Sequence, residues 1–157
     1  MWRQVQIEVN QARSLGVARS IQSDGTSSPQ APLEFTSIDV TEMEVYCEIF
    51  INDDLCGRTT AKRSVGTPEW HEQFTFSDLP PYGDLSIQIF RERKVSKPQL
   101  LGTIIIVLGN FRRGEVVDGW FPVLSLGQLT VQVGEIRLKL KIDEYAIFEC
   151  VLMSALV

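Results

Sequence analysis

From Gly134 to Asp143 nothing breaks the alternation. Ile136, Leu138, Leu140 and Ile142 fall to one side, and Glu135, Arg137, Lys139 and Lys141 to the other. A strand turns its side chains to opposite faces at each residue, so this segment is predicted to be a strand with one dry face and one wet face. The same period opens the chain. Between Gln4 and Ala12, residues Val5, Ile7 and Val9 oppose Gln4, Gln6, Glu8 and Asn10. It also organises the middle, where Trp70, Phe74 and Phe76 share a face interrupted only by Glu72, with His71, Gln73 and Thr75 on the other. No long amphipathic helix competes with these patterns, which places the chain among the all-β folds.

The stretch from Pro68 to Val107 reads as strand, turn, strand, basic loop, strand. Ser77 to Asp84 carries two prolines and a glycine, which supply preset and permissive backbone angles for a turn. Leu85, Ile87 and Ile89 resume the alternation. Leu101 to Val107 is a continuous apolar run, expected to be covered on both faces. Arg91-Glu92-Arg93-Lys94-Val95-Ser96-Lys97-Pro98 separates these last two strands.

Elsewhere, Val45–Ile51 and Leu55–Thr60 are predicted strands joined through Asn52-Asp53-Asp54, residue types that tolerate left-handed angles in a tight hairpin. Lys62 to Pro68 is read as a basic loop. Gly109 to Gly114 could hold a short helical turn, and Trp120-Phe121-Pro122-Val123 is a short strand whose proline suits an edge. Gly16 to Thr41 is dense in Ser, Thr, Gly, Pro and Gln, and is expected to be a flexible insertion, with Leu33 and Phe35 able to dock on the body. The domain is thus expected over residues 1–143, with a short apolar tail over 144–157. Eight short strands with turn signals between them indicate a sandwich or barrel.

The net charge of −5 argues against a general nucleic-acid binder, but is compatible with a local basic patch on an acidic body. Cys47, Cys56 and Cys150 are odd in number and lack CxxC spacing, so neither a disulfide framework nor a zinc site is expected. Cys47 lies in phase with Val45 and Ile49, as a small buried hydrophobe. A reducing compartment follows, and the N-terminus lacks the apolar core of a signal peptide. Ala146 to Val157 is shorter than the roughly 20 residues of a spanning helix.

Catalytic patterns are sparse. His71 is the one histidine, and it sits opposite Trp70 and Phe74 on a strand rather than beside a nucleophile. Asp53-Asp54 is turn chemistry. No P-loop, dinucleotide-binding glycine pattern or zinc motif is present, and no catalytic residue, metal or cofactor is expected.

The order of strands and loops resembles a C2-type domain, an eight-stranded antiparallel β-sandwich, from Trp2 to about Asp143. More narrowly, it resembles the C2-type domain that precedes the catalytic domain of Ras GTPase-activating proteins of the SynGAP-like and fungal Bud2-like groups. The residues that carry the resemblance are Val45-Tyr46-Cys47-Glu48-Ile49, Arg58-Thr59-Thr60, Pro68 to Phe76, Leu79-Pro80, Leu101-Gly102 and Gly119-Trp120-Phe121-Pro122-Val123. Gly134-Glu135-Ile136-Arg137-Leu138 is similar to the family's strand leading toward the GTPase-activating domain.

Many such domains hold calcium between loops, and calcium requires six to eight oxygen ligands. By resemblance, Glu44 occupies one ligand position, Arg91 and Arg93 replace an Asp-x-Asp, and Gln99 replaces a further aspartate. A guanidinium is permanently charged and offers no acceptor. Like charges ~4 Å apart repel by about 4 kcal/mol at surface dielectric. Calcium is therefore not expected here. Arg91, Arg93, Lys94 and Lys97, the pair Lys62 and Arg63, and the pair Arg112 and Arg113 are instead the expected lipid- or partner-binding residues.

The resemblance implies a non-catalytic, calcium-independent targeting module. Its partner would be an anionic phospholipid surface or a Ras-type small GTPase, and its place the cytoplasm, at the inner face of the plasma membrane. In that family the arginine finger comes from a downstream helical domain, so these residues alone are not expected to accelerate GTP hydrolysis. The competing readings are a protein–protein scaffold with no membrane role and a small stand-alone sandwich enzyme.

Overall fold

The structure is a computed structural model that describes residues 2–16, 19–21, 27–28, 42–79, 83–112, 114–125, 127 and 131–145. Its strands are β1 (Trp2–Arg13), β2 (Arg19–Ile21), β3 (Ser27–Ser28), β4 (Met43–Ile51), β5 (Asp54–Arg58), β6 (Lys62–Ser64), β7 (Glu69–Leu79), β8 (Asp84–Arg91), β9 (Gln99–Val107), β10 (Val116–Leu124) and β11 (Val131–Tyr145). All pairings are antiparallel. One layer runs β7–β1–β11–β10, and β2 and β3 extend from the start of β11. The other runs β9–β8–β4, with β5 and β6 following one another along the far side of β4. Among the described residues, Leu124 opposite Thr103 is the one pairing that joins the layers. The last strand lies beside the first, and β7 lies on the other side of the first strand.

The dry faces predicted from period two meet in a single core. Val5, Ile7 and Val9 of β1 and Ile136, Leu138, Leu140 and Ile142 of β11 face Val45, Cys47, Ile49, Leu85, Ile87 and Ile89 of the opposite layer. A bulge between Val9 and Gln11 shifts the phase of β1, which is why Ala12 rather than Gln11 is buried. Trp70 crosses the core and donates its indole N–H to the carbonyl of Val45 at 3.1 Å. Glu72, the one acid on the aromatic face, accepts both the backbone N–H of Thr60 at 3.0 Å and its hydroxyl at 2.9 Å. It ties the edge where β7 meets the end of β5 through charge-assisted bonds to an exposed threonine. The hairpin from β4 to β5 has φ of 50° at Asn52 and 68° at Asp53, as its residue types predict.

Three expectations need correction. Lys62–Ser64 is not loop but strand β6, paired with Met43–Val45. Leu101–Val107 is not covered on both faces: Ile105 and Val107 are exposed. Ile104 and Ile106 take the core, and the alternation leaves their neighbours on the outer face. The last strand continues past Asp143, as Glu144 and Tyr145 still pair with Arg3 and Trp2. The connection after β9 does hold a short helical turn, at Leu108–Asn110. Residues 17–18, 22–26 and 29–41 of the expected insertion, including Leu33 and Phe35, and residues 146–157 of the expected tail lie outside the described residues.

Candidate functional site

Both basic segments that follow β5 and β8 spring from the same end of the sandwich. Val45 is opposite Lys62 on one side and Arg91 on the other, so β4 spaces the two segments one strand apart each way. Trp70 holds that same residue of β4 from across the core. Arg91 also faces Gln99 at the start of β9, and the N–H of Glu92 donates to the carbonyl of Glu44 at 2.8 Å. Arg91 follows Leu85, Ile87 and Ile89 in phase, so it emerges at the mouth between the layers, half-buried.

A recess of about 540 Å³ lies there, with Arg63, Arg91, Arg93 and Lys94 on its walls beside Glu42, Glu44 and Glu92. The two kinds of charge are not evenly committed. Arg63 reaches Glu44 at 3.3 Å and Glu42 at 3.9 Å. Arg91, Arg93, Lys94 and Lys97 form no ion pair among the described residues, and the last three are exposed. No group of three or more His, Cys, Asp or Glu side chains among the described residues is arranged to hold a metal ion.

The structure separates the third basic pair from the other two. β9 runs from Gln99, opposite Arg91, to Val107, opposite Asp84, and Arg112 follows at that far end. There its backbone N–H donates to Glu115 at 3.2 Å. Arg113 lies outside the described residues.

Sequence reasoning missed the apolar part of the tip. Val95 is 99% exposed in the middle of the basic loop, and Val65, in the loop after β6, is 51% exposed. The signal was a β-branched residue standing alone among charges. It also missed the outer face of β4. Tyr46 points away from the core yet is 2% exposed, because Phe90 stacks on it at 5.5 Å and the Arg58 guanidinium lies 4.1 Å from its ring centre. His71 is exposed, with φ of 52°, beside the irregular pairing of β1 and β7. Cys47 is fully buried, and burial pushes its thiol far above the ordinary range, with the nearby Glu72 carboxylate adding to the effect. That thiol is no nucleophile. No helix among the described residues is long and apolar enough to cross a membrane.

Comparison with known proteins agrees with this architecture. The family model described as "C2 domain" matches residues 3–123. Among curated proteins, the chain is 29% identical over 82 residues to the human Ras GTPase-activating protein nGAP, covering 50% of this chain and 7% of that protein. It is 30% identical over 84 residues to the Ras GTPase-activating protein raskol of Drosophila melanogaster, covering 51% of this chain and 5% of that protein. The chain therefore spans only a small part of these relatives. Among solved structures, a C2 domain of plant Extended Synaptotagmin 1 superposes with a TM-score of 0.65 at 19% identity, over 91% of this chain and 95% of that one. Human GIVD cytosolic phospholipase A2 superposes at 0.64 and 15% identity, over 93% of this chain and 18% of that one. A sandwich of shared architecture, matched by the family's own sequence pattern from β1 into β10, makes this chain a member of the C2 domain family.

Proposed function

We propose that this chain is a non-catalytic targeting module that docks its tip on an anionic phospholipid surface without calcium, and so positions a GTPase-activating domain near a lipid-anchored Ras-type GTPase. The observation that carries the reading is the tip itself: Arg91, Arg93, Lys94 and Lys97, without ion-pair partners among the described residues, around a fully exposed Val95. Each basic side chain near an anionic leaflet contributes about 1 kcal/mol. Burying one valine side chain adds roughly 1.5 kcal/mol or more. Neither contribution needs a metal, and the guanidinium groups at the mouth would repel one. The similarity to Ras GTPase-activating proteins supports the connection to Ras-type signalling at the cytoplasmic face of the membrane. The gain from such docking is effective concentration rather than chemistry.

Sedimentation with vesicles tests this. Binding is expected to require anionic lipid, to fall steeply between low and physiological salt as the Debye length shrinks to about 8 Å, and to persist in EDTA. Replacing Arg91, Arg93 and Lys94 together by Ala is expected to weaken it by about a hundredfold, from ~1 kcal/mol lost at each position. Salt-independent binding, or binding unchanged in that variant, would reject the tip as the contact. In that case a protein partner, including the GTPase itself, would be the better reading for these loops.

A further inference from the structure

The loop between β8 and β9 carries a pattern that docking alone does not use. Ser96 is the one serine or threonine of the sequence with an arginine three residues before it, and Lys94 and Val95 fill the interval. Arginine-directed protein kinases read that spacing with acidic side chains in the groove that holds the peptide, a charge pattern that sets their choice of substrate. Such a groove takes its peptide extended, and the arginine must be free to leave the surface it belongs to.

The structure meets both demands. Arg93 to Pro98 are all exposed, and neither helix nor strand holds them. At the base of the loop, Arg91 lies opposite Gln99 and the Glu92 N–H donates to the Glu44 carbonyl. Beyond that anchor the loop makes no backbone hydrogen bond among the described residues, so it can be drawn out without unpairing a strand. Arg93 forms no ion pair among the described residues, whereas Arg63 is engaged by Glu42 and Glu44. The serine of the other basic run makes the contrast. Ser64, after Lys62 and Arg63, has its hydroxyl buried and its backbone paired with Met43 in the sheet.

We propose that Ser96 is a phosphorylation site for an arginine-directed kinase, and that its phosphate releases the tip from an anionic surface. In the transfer, Ser96 Oγ attacks the γ-phosphorus of magnesium-bound ATP. The new O–P bond forms as the bond from that phosphorus to the β,γ-bridging oxygen breaks. ADP leaves, and the hydroxyl proton passes to the catalytic carboxylate of the kinase. The phosphoserine carries close to two negative charges. Arg91, Arg93, Lys94 and Lys97 against Glu92 leave three positive charges on the loop, and the phosphate cancels about two of them. Its oxygens also compete with lipid headgroups for charge-assisted bonds from those same cations. The group stands next to the fully exposed Val95, and a dianion cannot follow that side chain into the acyl region. The release rests on the membrane reading above; the modification does not.

The test reads the two separately. The full chain is incubated with the catalytic subunit of cyclic-AMP-dependent protein kinase and magnesium ATP, and the phosphate is located by peptide mass spectrometry. Phosphate is expected on Ser96. The initial rate should fall about tenfold or more in Arg93→Gln, which loses a charge-assisted contact with the kinase, and stay unchanged in Arg112→Gln at the far end. The phosphorylated chain should bind phosphatidylserine vesicles about thirtyfold more weakly than the native chain, from two charges cancelled. Ser96→Ala, carried through the same kinase treatment, should bind as the native chain does. Phosphatidylserine vesicles should in turn slow the modification, because a docked tip hides Ser96, and neutral vesicles should not. Modification of Ser96 in a chain that ignores anionic vesicles would uphold the site and remove the tip reading, and the release with it. No phosphate on Ser96, an equal rate in Arg93→Gln, or native vesicle binding that survives full phosphorylation of Ser96 would overturn the proposal.

Discussion

Glu72 shows how one side chain can look misplaced in sequence and be required in structure. It interrupts a row of aromatics, yet its carboxylate takes two hydrogen bonds from Thr60 across the gap between layers. Glu72→Ala is expected to lower stability by about 1 kcal/mol in urea unfolding, and Glu72→Gln, which keeps an acceptor, by less. Cys47 makes a prediction in pH. Its folded thiol is held above its unfolded value, chiefly by burial. Below an unfolded pKa of about 8.5 both states keep the proton and the contribution to stability is intact. As pH rises past it, the unfolded chain releases a proton that the folded chain retains. Stability should then fall by up to about 1.4 kcal/mol per pH unit. Cys47→Ala should show a shallower decline than the native chain above about pH 9, just past that unfolded value; parallel curves would contradict the assignment.

At the scale of elements, the seam between the layers is set by Gly102. A Cβ built there would lie 2.5 Å from Val123 Cγ1, 2.9 Å from Val133 Cγ2 and 3.0 Å from the Leu124 carbonyl. β9 and β10 meet at Thr103 and Leu124, so only a residue without a side chain lets them close. Gly102→Ala should cost about 1–3 kcal/mol, as over-packing does, while Gly109→Ala, with open space around it, should be nearly neutral. An equal effect of the two on the urea midpoint would contradict this account of the seam. The strands themselves were legible because period two is written in each segment separately. What segments cannot carry is register. The partner of Glu72, the bulge after Val9 and the meeting of Arg13 with Trp120 all depend on which residues lie opposite across strands far apart in the chain. Short β6 was illegible for a related reason: three polar residues hold no periodic signal, and β4 imposes the strand by pairing. The cations of the tip were readable as residues, and only the fold shows that Arg63 joins the Arg91 loop while Arg112 belongs to the opposite end.

Taken whole, the molecule is acidic, with a net charge of −5, yet its tip concentrates Lys62, Arg63, Arg91, Arg93, Lys94 and Lys97, which outnumber Glu42, Glu44 and Glu92 there. Asp53, Asp54 and Asp84 lie at the far end, with Arg112. In the docking proposed above, such a distribution turns the tip toward an anionic surface and the acidic end away. An environment-sensitive fluorophore placed on Val95→Cys, in a Cys56→Ser/Cys150→Ser background, measures this orientation most directly. With anionic vesicles in EDTA, the label at position 95 should shift to the blue, and the same label on Asp53→Cys should not move. A shift that appears only on adding calcium, or one as large at position 53 as at 95, would contradict the account.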